Sequence, residues 1–213
     1  MVRRTTRKER GVIKRHQKKL ILVGAEGDNQ TERKYLESLN NKQNEYRIIF
    51  AKGIHTNPQG VITDLIKSSN KVELDEEYGD IKACLIDVDY PGDRESELKN
   101  AILQSNKEHI KLYLSNPCFE IWFLLHFRYS TRQYSSNSEV IKELKEYMPG
   151  YTKSDNVFDL LWPKLDTAIS NSKKLDKYHN QNNTINRIKK VPYTEVFNLM
   201  NVILKDPNEG GDV

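Results

Sequence analysis

The chain has 213 residues, of which 37% are hydrophobic and 30% charged, with a formal net charge of +4. That length allows one sizeable core, or one core plus a small appendage. No apolar run approaches the roughly 20 residues that a membrane span requires, so a membrane-spanning helix is excluded. The N-terminal run Met1-Val-Arg-Arg-Thr-Thr-Arg7 leads into no apolar stretch, so no secretory leader is expected. Cys84 and Cys118 each sit in an apolar segment and read as buried thiols, not as a disulfide or a zinc site. A soluble protein of the reducing cytoplasm fits.

The charge is unevenly spread. Residues 1–19 carry nine Lys or Arg against the single acid Glu9, a local charge of +8 that leaves −4 for the rest of the chain. Residues 1–18 therefore read as a basic tail, either a phosphate-binding arm or a solvated leader with no specific role. The body is no generic polyanion binder.

From Lys19 the elements follow in order. Leu20 to Val23 is a short apolar run with the length of a buried strand. It leads through Gly24-Ala-Glu26-Gly27 into a helix predicted over about 31–41, with Tyr35, Leu36 and Leu39 at helical spacing. Tyr46-Arg-Ile-Ile-Phe50 is a second strand, and Asn57-Pro58 caps a helix running to about Ser69. Val72 to Asp80 is an acidic turn region; Ile81-Lys-Ala-Cys-Leu-Ile86 is a third strand, ending in Asp87-Val-Asp89. A helix over about 94–104 follows, with Asp93 as a candidate cap, then a fourth strand over His109–Leu114. Asn116-Pro117 again predicts a cap, opening a helix from Cys118 to about Phe127 with Glu120 one turn inside it. Alternating β and α to this point predicts an α/β fold, a parallel sheet with helices on both faces. Beyond it, Glu139–Tyr147, Asn156–Lys174 and Thr194–Lys205 predict a C-terminal helical extension, with a polar loop over His179–Thr184. The organisation is then a tail at 1–18, an α/β core at 19–128, a helical extension at 129–205 and a frayed end at 206–213.

The chemistry is carried by acids at strand ends. Glu26 follows the first strand, and Asp87 and Asp89 follow the third. First and third strands of doubly wound sheets are commonly neighbours, so the three acids converge at the carboxyl edge, where such sheets bind ligands. A period of two puts both carboxylates of Asp-x-Asp on one side of an extended segment. Crowded carboxylates repel, and a divalent cation removes the conflict. Oxygen-only ligands favour Mg²⁺ or Mn²⁺ over zinc. Each acid also has an ordinary reading: Glu-Gly is a common turn, Glu32 complements a helix N-terminus, and Asp-x-Asp occurs in plain loops.

These residues resemble a known pattern. Glu26-Gly27 after an apolar strand, Thr31-Glu32 opening a helix and Asp87-x-Asp89 after the third strand resemble the Toprim fold of topoisomerases, primases and related nucleases. The block Ser115-Asn-Pro-Cys-Phe-Glu-Ile-Trp-Phe-Leu-Leu-His-Phe127, with Tyr35, Asn183-Thr184 and Pro192-Tyr-Thr-Glu-Val196, is similar to the RloB-like family, which includes the abortive-infection protein AbiLii. The resemblance spans most of residues 19–205. It implies a Toprim-like, Mg²⁺- or Mn²⁺-dependent nuclease acting on DNA or RNA, with tRNA as one candidate, in anti-phage or restriction-linked defence beside an AAA or ABC-type ATPase. It implies Glu26 as general base or metal ligand, Asp87 and Asp89 as metal ligands, Glu32 as a second acid and Glu120 as a further site carboxylate. The step Asp28-Asn-Gln-Thr31 is longer than the family's tight Glu-Gly-x-Thr-Glu, which leaves the placement of Glu32 open. Lys153 is a candidate contact to the scissile phosphate, and the Arg187-Ile-Lys189-Lys190 patch a candidate backbone contact, for which affinity falls steeply with salt. Asn116 reads as a helix cap and His126 as a structural residue at a helix C-terminus. The competing reading is a non-catalytic nucleic-acid-binding or ATPase-docking module with a structural ion. The nuclease reading requires Glu26, Asp87 and Asp89 to meet at one rim without being neutralised by arginine.

Overall fold

A computed structural model describes residues 18–26, 30–89 and 94–204; the basic tail before Lys18, Gly27, Asp28, Asp93 and the end at 206–213 lie outside the described residues. The centre is a five-stranded sheet in the order β2-β1-β3-β4-β5. Its strands are β1 (Lys19–Ala25), β2 (Tyr46–Phe50), β3 (Ile81–Asp87), β4 (Lys111–Asn116) and β5 (Tyr193–Thr194). The first four run parallel, and β5 pairs antiparallel with β4. β1 and β3 are neighbours, with Ala25 beside Leu85, so Glu26 and Asp87 leave adjacent strands at the same edge.

The apolar runs of the parallel strands alternate between two cores, as a pleated strand covered on both faces must. Leu22, Cys84 and Ile86 face the core made with α2 (Pro58–Val72) and α3 (Glu95–Lys107). Ile21, Val23, Ala83 and Leu85 face the larger core. That core is built with α1 (Gln30–Glu37), α4 (Glu120–Leu125), α5 (Asn137–Tyr147), α6 (Phe158–Leu161), α7 (Leu165–Gln181) and α8 (Val196–Ile203). The C-terminal helices therefore share a core with the sheet, and β5 extends the sheet itself. Both cysteines are free and buried, one in each core. No helix of the described residues is long and apolar enough to cross a membrane.

Five local expectations need correction. Asn57 does cap α2, its side chain accepting from Gly60 N–H at 2.8 Å. Asn116 does not cap a helix: it ends β4, and its amide donates to the Ile188 carbonyl at 2.9 Å. Consequently α4 begins two residues later than expected, and Glu120 is its first residue instead of lying one turn inside. The helix expected over 156–174 is interrupted at Pro163, where a 3-10 turn at Trp162–Lys164 separates α6 from α7. Proline lacks the amide a continuous helix needs. Finally, α7 continues to Gln181, through the start of the expected polar loop, and Thr194 belongs to β5 instead of the last helix.

Candidate metal centre

Glu26, Asp87 and Asp89 all stand at the carboxyl edge, on β1 and β3 and the residues just after them. β3 ends at Asp87, and Asp89 has φ 51°, so the extended period of two does not carry through the pair. Two tertiary amide bonds hold this exit instead: Val88 N–H donates to the Ser115 carbonyl at 2.8 Å and Asp89 N–H to the Pro117 carbonyl at 2.9 Å. Glu32 lies in the first turn of α1 and Glu120 in the first turn of α4, both buried. An acid at a helix N-terminus is stabilised by the helix dipole, so each helix delivers a carboxylate at little local cost.

These five acids feel one another. Asp87 is driven well above its ordinary carboxylate value, first by burial and then by Glu32, Glu120, Glu26 and Asp89. Burial raises Glu26 to about 7, against the lowering pull of Arg94. Burial likewise raises Glu32 to about 7, with Glu120 and Glu26 adding to the shift and its own backbone hydrogen bond and Lys153 opposing it. Glu32 is thus part of the group despite the lengthened step before it. Glu120 Oε1 accepts from the Tyr151 hydroxyl at 3.3 Å and faces Lys153 Nζ at 3.5 Å. Its other oxygen is buried with no hydrogen-bond partner among the described residues.

Two cations answer the five carboxylates. Lys153 sits in a loop tied to α1 by Thr31 Oγ1, which donates to the Lys153 carbonyl at 2.8 Å. Burial works against its ammonium, but Glu120, Cys118, Asp87 and Glu32 outweigh that and hold it protonated above its usual range. The second cation is Arg94, which composition and spacing did not single out. Its Nη2 reaches Glu26 Oε1 at 2.8 Å and its Nη1 bonds Asp89. Asp89 also accepts from Asn137 Nδ2 at 2.8 Å. A signal was present: Arg94 immediately precedes α3, where a cation opposes the helix dipole and so needs a partner elsewhere.

The remaining candidates make contacts of their own. Arg187 pairs with Glu195 through Nε at 2.7 Å and through Nη2, and donates to the Leu112 carbonyl at 2.7 Å. Lys190 is buried, with Asp176 Oδ1 at 2.7 Å and Asn180 Oδ1 at 3.0 Å. Lys189 is exposed and feels Glu95 at the start of α3. His126 is buried against Tyr35, and burial lowers it to about 4, leaving it neutral and structural.

A hard cation is tested by the donors themselves. They are oxygens only, they outnumber the local cations, and Asp87 has no cationic partner at ion-pair distance among the described residues, which fits Mg²⁺ or Mn²⁺ in chemistry. In arrangement, no three His, Cys, Asp or Glu side chains of the described residues form a ready metal cage. The expectation that the three acids meet free of arginine needs correction: Arg94 pairs with Glu26 and Asp89, and only Asp87 is left without such a partner among the described residues. A cavity of about 420 Å³ lies at the opposite, amino edge, between Ile81, Ser105 and Lys111. Two of its lining charges are paired, Lys82 with Glu76 at 2.8 Å and Asp80 with the Leu20 and Asp75 amides, and it holds none of the five crowded acids.

Comparison with curated proteins yields no match, and comparison with solved structures yields none either. Residues 21–203 match the family described as RloB-like protein, a span that takes in all of the sheet but the first two residues of β1, the five carboxylates and the helices of the C-terminal half. The chain belongs to the RloB-like family.

Proposed function

We propose that this chain is a divalent-metal-dependent phosphodiesterase of the Toprim type that cuts nucleic acid in a restriction-linked, defence-associated system. The observation that carries the reading is Asp87: crowded by four other acids, it keeps an unmet demand for positive charge after Arg94 and Lys153 are counted. Glu26, Asp87 and Asp89 would hold Mg²⁺ or Mn²⁺, which supplies charge neutralisation and an activated water for in-line attack on phosphorus. Glu26 would serve either as a ligand of that ion or as the base that takes a proton from the water. Lys153 would hold a non-bridging phosphate oxygen, its ammonium kept charged by Glu120, Asp87 and Glu32. Membership of the RloB-like family supports the defence setting, and an AAA or ABC-type ATPase is the partner that the resemblance implies.

A second reading rests on Arg94. Because its guanidinium already joins Glu26 to Asp89, the rim also suits a non-catalytic module whose acids are internally neutralised. Incubation of the full chain with plasmid and with bulk tRNA, in Mn²⁺, Mg²⁺ or chelator, separates the two. Cleavage that needs metal and disappears in Glu26→Gln and Asp87→Asn supports the phosphodiesterase. Intact substrate with retained binding supports the module.

A further inference from the structure

Arg94 is more than a neutralising charge. It binds two carboxylates from different strands through two different nitrogens, the role a divalent cation would fill at the same place. Its backbone position gives it no local reason to be there, since it stands at the positive end of α3 without a side-chain capping bond. Its side chain is about a quarter exposed, so solvent reaches part of it. Once Glu26 and Asp89 turn to a cation, Arg94 loses both partners and is left as a desolvated, permanently charged fork. The group best matched to that fork is a tetrahedral phosphate, which accepts two parallel N–H bonds where an ammonium offers only a point charge.

We propose that Arg94 is an exchangeable counter-ion, paired with Glu26 and Asp89 in the metal-free protein and with a nucleic-acid phosphate when a divalent cation takes those acids. The proposal rests on the metal-dependent reading above and assigns the phosphate-binding residue of that site. It makes cation binding and phosphate binding mutually reinforcing, because each frees the partner that the other needs. Lys153 cannot replace Arg94 in this exchange, since its carboxylate contact is Glu120, away from the Glu26–Asp89 pair.

The test is equilibrium binding with the full chain, using Mn²⁺ alone, a short single-stranded oligonucleotide alone, and the two together, for wild type, Arg94→Met and Arg94→Lys. Removing the internal competitor should tighten Mn²⁺ binding by about tenfold in Arg94→Met, a size typical of site coupling. The same variant should lose the Mn²⁺-induced gain in oligonucleotide affinity that wild type shows. Arg94→Lys, which offers one ammonium where two carboxylates need a fork, should fall between them. Melting curves identify any variant that fails to fold, in which case Arg94→Lys carries the comparison. Equal Mn²⁺ affinity in wild type and the folded variants overturns the exchange while leaving a metal site standing. Absence of Mn²⁺ binding in every protein overturns both the exchange and the phosphodiesterase. Mn²⁺ binding that appears only when Arg94 is removed supports the exchange in its strongest form.

Discussion

Two stretches of the sheet's carboxyl edge treat charge in opposite ways. Around β5, each charge has its own partner: Arg187 holds Glu195, which in turn accepts from the Leu114 amide at 2.9 Å, and Lys190 holds Asp176, which also accepts from the Tyr193 hydroxyl at 3.1 Å. At the acidic rim, five carboxylates share Arg94 and Lys153, and burial, with the crowding of neighbouring acids added, raises Glu26, Glu32 and Asp87. A fully matched polar network fixes β5 onto β4; an unmatched one is a standing demand for a ligand. The contrast also explains why basic residues near Arg187 are poor candidates for a phosphate surface: two of the three are already committed.

The largest expected effect sharpens the rim's side of that contrast. If Glu26 takes the proton from the attacking water, Glu26→Gln should slow metal-dependent cleavage by about 10²–10⁴-fold, measured on plasmid or tRNA under single-turnover conditions. The matched stretch should respond in stability instead. Glu195→Ala leaves Arg187 without its anion and the Leu114 amide without its side-chain acceptor, and should cost about 3 kcal/mol in urea denaturation while leaving Mn²⁺ affinity unchanged.

A smaller effect has the opposite sign. Glu32 binds its proton more tightly folded than unfolded, its value rising from 4.5 to about 7. Its contribution to stability is therefore full below about 4.5 and is lost as pH climbs through about 7. Glu32→Gln, which stays neutral, should raise stability by about 1–2 kcal/mol at pH 7.5 in chelator, a gain that vanishes near pH 4.5. A stabilisation that persists at low pH would locate the effect in packing instead of charge. The smallest change concerns Lys153: Lys153→Ala should reduce the slope of log affinity against log salt by about one unit for an oligonucleotide, the signature of one phosphate contact.

Much of this arrangement was legible in the chain. The strand runs at Leu20 and Ile81 and the acids that follow them were enough to place Glu26 and Asp87 together, because neighbouring parallel strands finish at one edge. What stayed hidden depended on distant partners. Asn57-Pro58 and Asn116-Pro117 are the same dipeptide, yet one caps α2 and the other closes β4, since only the second meets the Ile188 carbonyl, 72 residues on. β5 spans two residues, too few for any periodicity, and exists because β4 offers it a free edge. Arg94 was half hidden for a related reason: its place before α3 marks a cation in need of a partner, but the partners follow β1 and β3, and nothing local names them.

Tyr35 gives the rim its final character. Its ring touches Phe119, Trp122, Phe123, His126 and Phe158, wedging α1 against α4 and α6 through one aromatic knot. Glu32 precedes Tyr35 by one helical turn, and Glu120 stands among the very rings that grip it. The two acids therefore have no room to back away from Asp87 when their mutual repulsion grows. Geometry here is inherited from oily packing beneath, so the spacing of the charged mouth is set by side chains that never meet solvent, and evolution can retune it from below without altering a single acid.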